Sequence, residues 1–290
     1  MKKTLVDLFE QSVQLYPNNT FLLEKTDKVF EPTTYTQVKE QVYRLGAGLQ
    51  ALGVKKGDTM ALLSEGRNMW IIGELAMFYA GAINVPLSIK LEESNDLMFR
   101  LIHGDVQYIM VSGQQLKKVR LIKDKLPAVK KIIVFDDIKE YEDREMSLAE
   151  LQKMGDEFLA SHTLDEFLAI GRSIENDDYA TITYTSGTTA DPKGVVLTHR
   201  NYTANVEQAL TLVAIDQTWR TLIILPLDHC FAHVVGFYIM MSQGATVATV
   251  QVGRNSLDTL KNIPKNIKEV RPHFILSVPA LAKTFKKNIE

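Results

Sequence analysis

The sequence predicts an α/β protein built on largely parallel sheets. Short apolar runs alternate with helical patterns between residues 34 and 135, and the alternation resumes after Tyr179. Strands separated by helices imply βαβ units and parallel pairing. Composition agrees with a globular chain: of 290 residues 46% are hydrophobic and 23% charged, and 33 basic side chains nearly cancel 35 acidic ones. A net charge of −2 lacks the positive footprint of a dedicated nucleic-acid binder, so no nucleic-acid partner is expected. Sixteen glycines and nine prolines are too few for a collagen-like or low-complexity chain. At ~150 residues per domain, the length suggests about two domains or subdomains.

The elements follow in order. Val38, Val42, Leu45, Leu49 and Leu52 recur at helical spacing, with Thr34 and Gln37 as a capping box and Gly53 as a left-handed stop, which predicts a helix over 34–52. Lys55 to Asp58 reads as a turn, 59–63 as a short buried strand, and Asn68 caps a helix running to Gly81. A strand over 82–87, a helix near 93–103, a strand near 107–111, a helix near 114–123 and an apolar run over 131–135 continue the pattern. Residues 136–178, with Asp136, Asp137, Glu140, Glu142, Asp143 and Glu145, read as a solvated connection followed by two helix-like stretches. Further strands are expected near 180–184, 221–225, 245–250 and 274–277, and a helix after Pro279.

Met1, Lys2 and Lys3 would suit a signal peptide, but Asp7 and Glu10 break the apolar run that must follow, so no secretion signal is expected. The apolar stretch over 75–87 contains Asn84 and Pro86 and falls short of the ~20 residues needed to span a bilayer. Cys230, the sole cysteine, rules out an intrachain disulfide and favours a reducing compartment. A basic run from Lys117 to Lys131 would suit an anionic lipid or a phosphorylated cofactor, but a solvated helix face is the preferred reading. Arg44, Arg67, His103 and Arg200 have no chemical context and are assigned to surface or scaffold roles.

The segment YTSGTTADPKGVVLTHRNY, from Tyr184, sets hydroxyls, two glycines, a proline and a lysine between two apolar strands. Ser186, Thr188 and Thr189 supply hydroxyl donors, Gly187 and Gly194 admit an anion close to the backbone, and Lys193 adds a point charge. It is not a Walker loop, which would need Gly at Pro192 and Ser or Thr at Gly194. An ordinary Ser/Thr/Gly-rich hairpin is the bland alternative.

This residue order resembles the signature loop of the adenylate-forming (AMP-binding) superfamily. Tyr79-Ala80-Gly81-Ala82 leading to Val85-Pro86-Leu87, and Leu225-Pro226-Leu227-Asp228-His229, resemble further motifs of that family. Within it, WIIGELAMFYAGAINVPLS and SVPALAKTFKKNIE most resemble long-chain fatty acyl-CoA synthetases. The resemblance implies a layered αβαβα N-terminal domain, incomplete in these 290 residues, with approximate subdomains over 60–200 and over 1–59 with 201–290. It implies a ligase that adenylates a fatty acid with ATP and Mg²⁺ and then transfers the acyl group to coenzyme A. Thr185, Ser186, Gly187, Thr188, Thr189, Lys193 and Gly194 would bind the ATP phosphates. His229 and Phe231 would line the acyl site, and Lys193 and His229 would act in catalysis. Ala190 departs from the family's usual Gly.

His229 and His233 share the spacing of a zinc helix, but Cys230 stands where the motif requires Glu, and no zinc is expected. A Cys230–His229 nucleophile is equally disfavoured, since sequence neighbours rarely face each other. A histidine satisfied in the core remains the alternative reading of His229, and Asp228 leaves an amino-acid substrate as the alternative to a fatty acid. The family's Thr-Glu segment, ribose-binding Asp and C-terminal lid lysine have no counterpart here. The 290 residues are therefore expected not to turn over alone, and a non-catalytic nucleotide- or acyl-binding module is the second reading. A cytoplasmic location is expected; peripheral contact at the inner face of a membrane and homo-oligomerisation stay open.

Overall fold

The computed structural model describes residues 3–92, 96–185 and 192–277. In chain order its elements are α1 (Leu5–Leu15), β1 (Thr20–Glu24), β2 (Glu31–Thr34), α2 (Tyr35–Ala51), β3 (Thr59–Leu63), α3 (Asn68–Tyr79), β4 (Ile83–Leu87), α4 (Met98–His103), β5 (Val106–Val111), α5 (Gly113–Ile122), β6 (Lys131–Val134), β7 (Glu145–Ser147), α6 (Leu148–Ser161), α7 (Leu164–Arg172), β8 (Tyr179–Thr185), β9 (Lys193–Thr198), α8 (His199–Leu210), β10 (Arg220–Ile223), α9 (Ile239–Ser242), β11 (Thr246–Thr249) and α10 (Ser256–Val270). These fall into two units, one of residues 1–10, 37–65 and 69–204, the other of 11–36, 66–68 and 205–290.

The first unit holds a seven-stranded sheet in the order β7-β6-β5-β3-β4-β8-β9. Every pair is parallel except β8–β9. All five residues of β3 and of β4 are buried. That is why both read as largely apolar runs, since a central parallel strand is covered on both faces; the buried Asn84 in β4 donates to Glu74 at 2.7 Å. α3 is buried over ten successive residues, Trp70 to Tyr79, with no polar stripe. α2 stops as the sequence predicts, with Gly53 at φ 93°.

Residues 136–178 are more than a solvated connection. Glu145 to Ser147 form β7, paired parallel to β6 with Ile132 opposite Glu145 and Val134 opposite Ser147. α6 and α7 each start on a capping box, Ser147 with Glu150 and Thr163 with Glu166. Phe167 is wholly buried, its ring 5.1 Å from that of Tyr43 and stacked at 5.8 Å on that of Tyr79. The short strand escapes a periodicity argument because its first residue is a glutamate.

The burial of Glu145 is made affordable by the basic run. Arg120 donates to both of its carboxylate oxygens, at 2.8 and 2.7 Å, while the Glu142 N–H donates at 2.9 Å. Burial pushes the Glu145 carboxyl up, but these donors outweigh it and hold the group below its ordinary range. Lys123 pairs with Glu142 at 2.8 Å, and Lys118 donates to the carbonyls of Ile89 and Leu91. Much of the run is thus committed within the protein. Arg120→Gln is expected to destabilise this unit by about 2 kcal/mol near neutral pH, since it leaves the buried Glu145 carboxylate without its paired, partly exposed cation. A lowered carboxyl stabilises above its unfolded pKa and loses that contribution as the pH falls through the folded one. The penalty should therefore shrink below about pH 4, as urea titrations of both proteins would show.

The second unit holds a four-stranded sheet, β10-β11-β1-β2, parallel at β10–β11 and β1–β11 and antiparallel at β1–β2. Tyr35 stacks on Phe21 at 4.4 Å and donates its hydroxyl to the Ala245 carbonyl at 2.9 Å. α1, β1, β2 and α10 add to the predicted elements. α10 carries Pro264 within it, which masks its pattern. The strand expected over 274–277 is reduced to one bridge, Phe274 beside Thr221. The helix expected over 93–103 is α4, from Met98, with 93–95 outside the described residues. The helix expected after Pro279 also lies outside them. No described helix is long and apolar enough to cross a membrane.

Candidate active site

β8 lies parallel to β4, with Asn84 opposite Thr181, so its carboxyl end shares the sheet edge with the carboxyl ends of β3, β5 and β6. Open α/β sheets bind ligands at that edge. β9 returns antiparallel, with Tyr184 opposite Gly194 and Thr185 opposite Lys193. The register thus brings together Thr185, Lys193 and Gly194 at the end of one strand pair. Ser186, Gly187, Thr188, Thr189 and Ala190 lie outside the described residues.

Thr185 and Lys193 are exposed, and Lys193 forms no ion pair among the described residues. At Gly194 a Cβ would meet Ile182 Cγ2 at 3.0 Å and the Tyr184 ring at 3.4 Å, so a side chain there would press on both neighbours. A threonine hydroxyl and an uncommitted ammonium side by side fit a polyphosphate.

The end of β8 is braced from α4. Tyr184 Oη lies 2.8 Å from His103 Nδ1 and 3.4 Å from the Arg100 carbonyl, and the Arg100 guanidinium sits 5.7 Å from the Tyr184 ring centroid. Burial pushes the Tyr184 hydroxyl up against the opposing pull of Arg100, so the phenol stays protonated. His103 therefore has a scaffold role. Neighbouring strand ends are tied off as well: Gln115 Nε2 donates to Glu65 at 2.6 Å, and the Gly113 N–H to Asp136 at 2.7 Å. Sequence reading did not select Tyr184, Arg100 or Glu65, because no local spacing joins residues so far apart in the chain.

In the second unit Leu227 is buried, Asp228 half-buried, and His229, Cys230 and Phe231 exposed, Phe231 to 59%. The His229 N–H donates to the Pro226 carbonyl at 3.2 Å, and its own carbonyl accepts from the His233 N–H at 3.0 Å. From Ala232 to Tyr238 the chain winds as a π-helix, a form frequent at functional sites. His233 is wholly buried, with Nε2 3.0 Å from Tyr238 Oη and its ring parallel to that of Phe237. The core-histidine environment thus belongs to His233, while His229 is open to solvent. Among the described residues no three His, Cys, Asp or Glu side chains gather as a metal site.

The chain is 26% identical over 294 residues to the long-chain-fatty-acid–CoA ligase ACSBG2 of Xenopus laevis, across 99% of this chain and 38% of that protein. It is 28% identical over 299 residues to long-chain-fatty-acid–CoA ligase 5 of Rattus norvegicus, across 96% of this chain and 41% of that one. It therefore spans about two-fifths of the length of these curated relatives, matching their N-terminal part. The crystal structure of coronafacic acid ligase from Pectobacterium brasiliense shares its fold, with a TM-score of 0.80 and 20% identity over 98% of this chain and 52% of that one. A match running from residue 9 to residue 289 shows that the chain belongs to the AMP-binding enzyme family.

Proposed function

We propose that these residues are the N-terminal portion of an ATP-dependent long-chain fatty acid–CoA ligase. The observation that carries the reading is the β8–β9 register, which sets Thr185 beside Lys193 at the ligand edge of a parallel sheet. The relatives' names supply the substrate class.

In this reading ATP, a fatty acid and coenzyme A are the substrates. A carboxylate oxygen attacks the α-phosphorus and pyrophosphate leaves; the thiol sulfur then attacks the acyl carbon and AMP leaves. Charge accumulates on the departing pyrophosphate. The Thr185 hydroxyl and the Lys193 ammonium, with Ser186, Gly187, Thr188, Thr189 and Gly194, would hold that charge in a fixed arrangement, which is where such enzymes gain rate. The Tyr184–His103 brace keeps the strand end from yielding as charge moves. Mg²⁺, when bound with ATP, would neutralise part of the phosphate charge. His229 and Phe231 are assigned to the acyl site, His229 offering a polar group to the carboxylate and Phe231 an apolar wall. The 290 residues alone are not expected to turn over.

The test is a panel of carboxylates assayed for pyrophosphate release by the full-length protein. Medium- and long-chain fatty acids should exceed amino acids by about 10²-fold or more in kcat/KM, because a site built for an apolar chain leaves an ammonium group unpaired. Amino acids outperforming fatty acids would overturn the substrate assignment and favour Asp228 as a holder of an amino group.

A further inference from the structure

Helix α10 packs Ile263 and Val270 into a cluster with Leu222, Ala248 and Val250 of its own unit. Its opposite side is not an ordinary solvated face. Leu257 is 69% and Leu260 54% exposed, and Lys261, Pro264, Lys265 and Lys268 are exposed beside them. At 100° per residue these six positions fall within an arc of about 140°. Leu257, Leu260 and Pro264 occupy one half of the arc, and the three lysines the other.

The charge around this face is one-sided. Residues 254–271 include Arg254, Lys261, Lys265, Lys268 and Arg271 against only Asp258 and Glu269. Both acids are engaged: Glu269 binds Lys25 at 2.6 Å, and Asp258 faces Arg254 and Lys261 at 3.5 and 3.3 Å. Lys265 and Lys268 form no ion pair among the described residues. An exposed leucine pair alongside a lysine row matches a helix lying in the plane of an interface, with apolar side chains in the headgroup–acyl boundary and ammonium groups among lipid phosphates. In the basic run of 117–131, by contrast, Lys118, Arg120 and Lys123 are committed to the protein's own acids and carbonyls.

We propose that this face of α10 docks on an anionic bilayer surface. Leu257 and Leu260 enter the boundary region, and Lys261, Lys265 and Lys268 contact lipid phosphates. The proposal goes beyond the ligase reading and does not depend on it, since vesicle binding is measured without turnover.

The experiment is co-sedimentation of the full-length protein with vesicles of phosphatidylcholine alone and of phosphatidylcholine mixed with phosphatidylglycerol. Binding is expected only to the mixed vesicles, weakening as salt shortens the screening length. The variants L257S/L260S and K261Q/K265Q/K268Q change only exposed side chains, and unchanged circular dichroism would show that they fold. Each should lower partitioning by roughly tenfold or more. No binding to mixed vesicles, equal binding to neutral ones, or binding that survives both variants would overturn the proposal. Loss in the lysine variant alone would overturn the insertion of the leucines and leave a purely electrostatic contact with the lipid phosphates.

Discussion

Lys193→Ala in the full-length protein is expected to lower fatty-acid-dependent ATP–pyrophosphate exchange by roughly 10²-fold or more, the cost of removing one preorganised donor or cation from a developing charge. Lys193 is exposed and outside any ion pair among the described residues, so its loss should leave the fold intact, and thermal unfolding should superimpose on that of the parent protein. Lys193→Arg keeps the charge but spreads it over a planar fork, and should recover only part of the rate. Exchange unaffected by Lys193→Ala would remove the strand pair from the phosphate site.

The second large effect is on stability. α2 and α6 approach so closely that a Cβ on Gly155 would lie 1.8 Å from the Arg44 carbonyl oxygen, and one on Gly48 2.3 Å from the Leu151 carbonyl oxygen. Both obstacles are backbone, which cannot swing aside as a side chain would. Arg44 and Asp156 clamp the same pair of helices with two hydrogen bonds, at 2.7 and 2.5 Å. Gly155→Ala must therefore push the helices apart, at a cost of ~3 kcal/mol or more. For a protein of this size that corresponds to a fall in Tm of roughly 6–12 °C. Gly66→Ala meets nothing within 4 Å and serves as the neutral comparison. Equal melting of the two variants would contradict the close crossing.

The sequence shows the central sheet clearly because β3 and β4 are buried on both faces and are apolar apart from Thr59 and Asn84. The flanking elements were less legible. β7 begins with an ion-paired glutamate, and α10 is interrupted by a proline. α1 carried a usable signal, Thr4 and Asp7 exchanging cap hydrogen bonds, and Glu10 within it accepts from the hydroxyls of both Tyr43 and Tyr79. Of the candidate site, residue order marks the strand pair around Lys193, because hydroxyl, glycine, proline and lysine residues crowd into one stretch. The Tyr184–His103 brace and the differing environments of His229 and His233 arise from packing between distant segments, which a linear pattern does not record.

The strand order also bears on how the protein is made. β8 pairs with β4, but β5, β6 and β7 are synthesised between them and add to the other side of β3. On the ribosome the flank of β4 stays open while those three strands emerge, and a central apolar strand with an unpaired edge is a template for mispairing. β1 waits longer still, since its parallel partner β11 arrives only near residue 246. Both sheets close by joining early segments to late ones, a slow topology because loop closure precedes the contacts that reward it. Chaperone occupancy of nascent chains should therefore persist until β8 and β9 have emerged, and these two strands would be among the last in their sheet to dock.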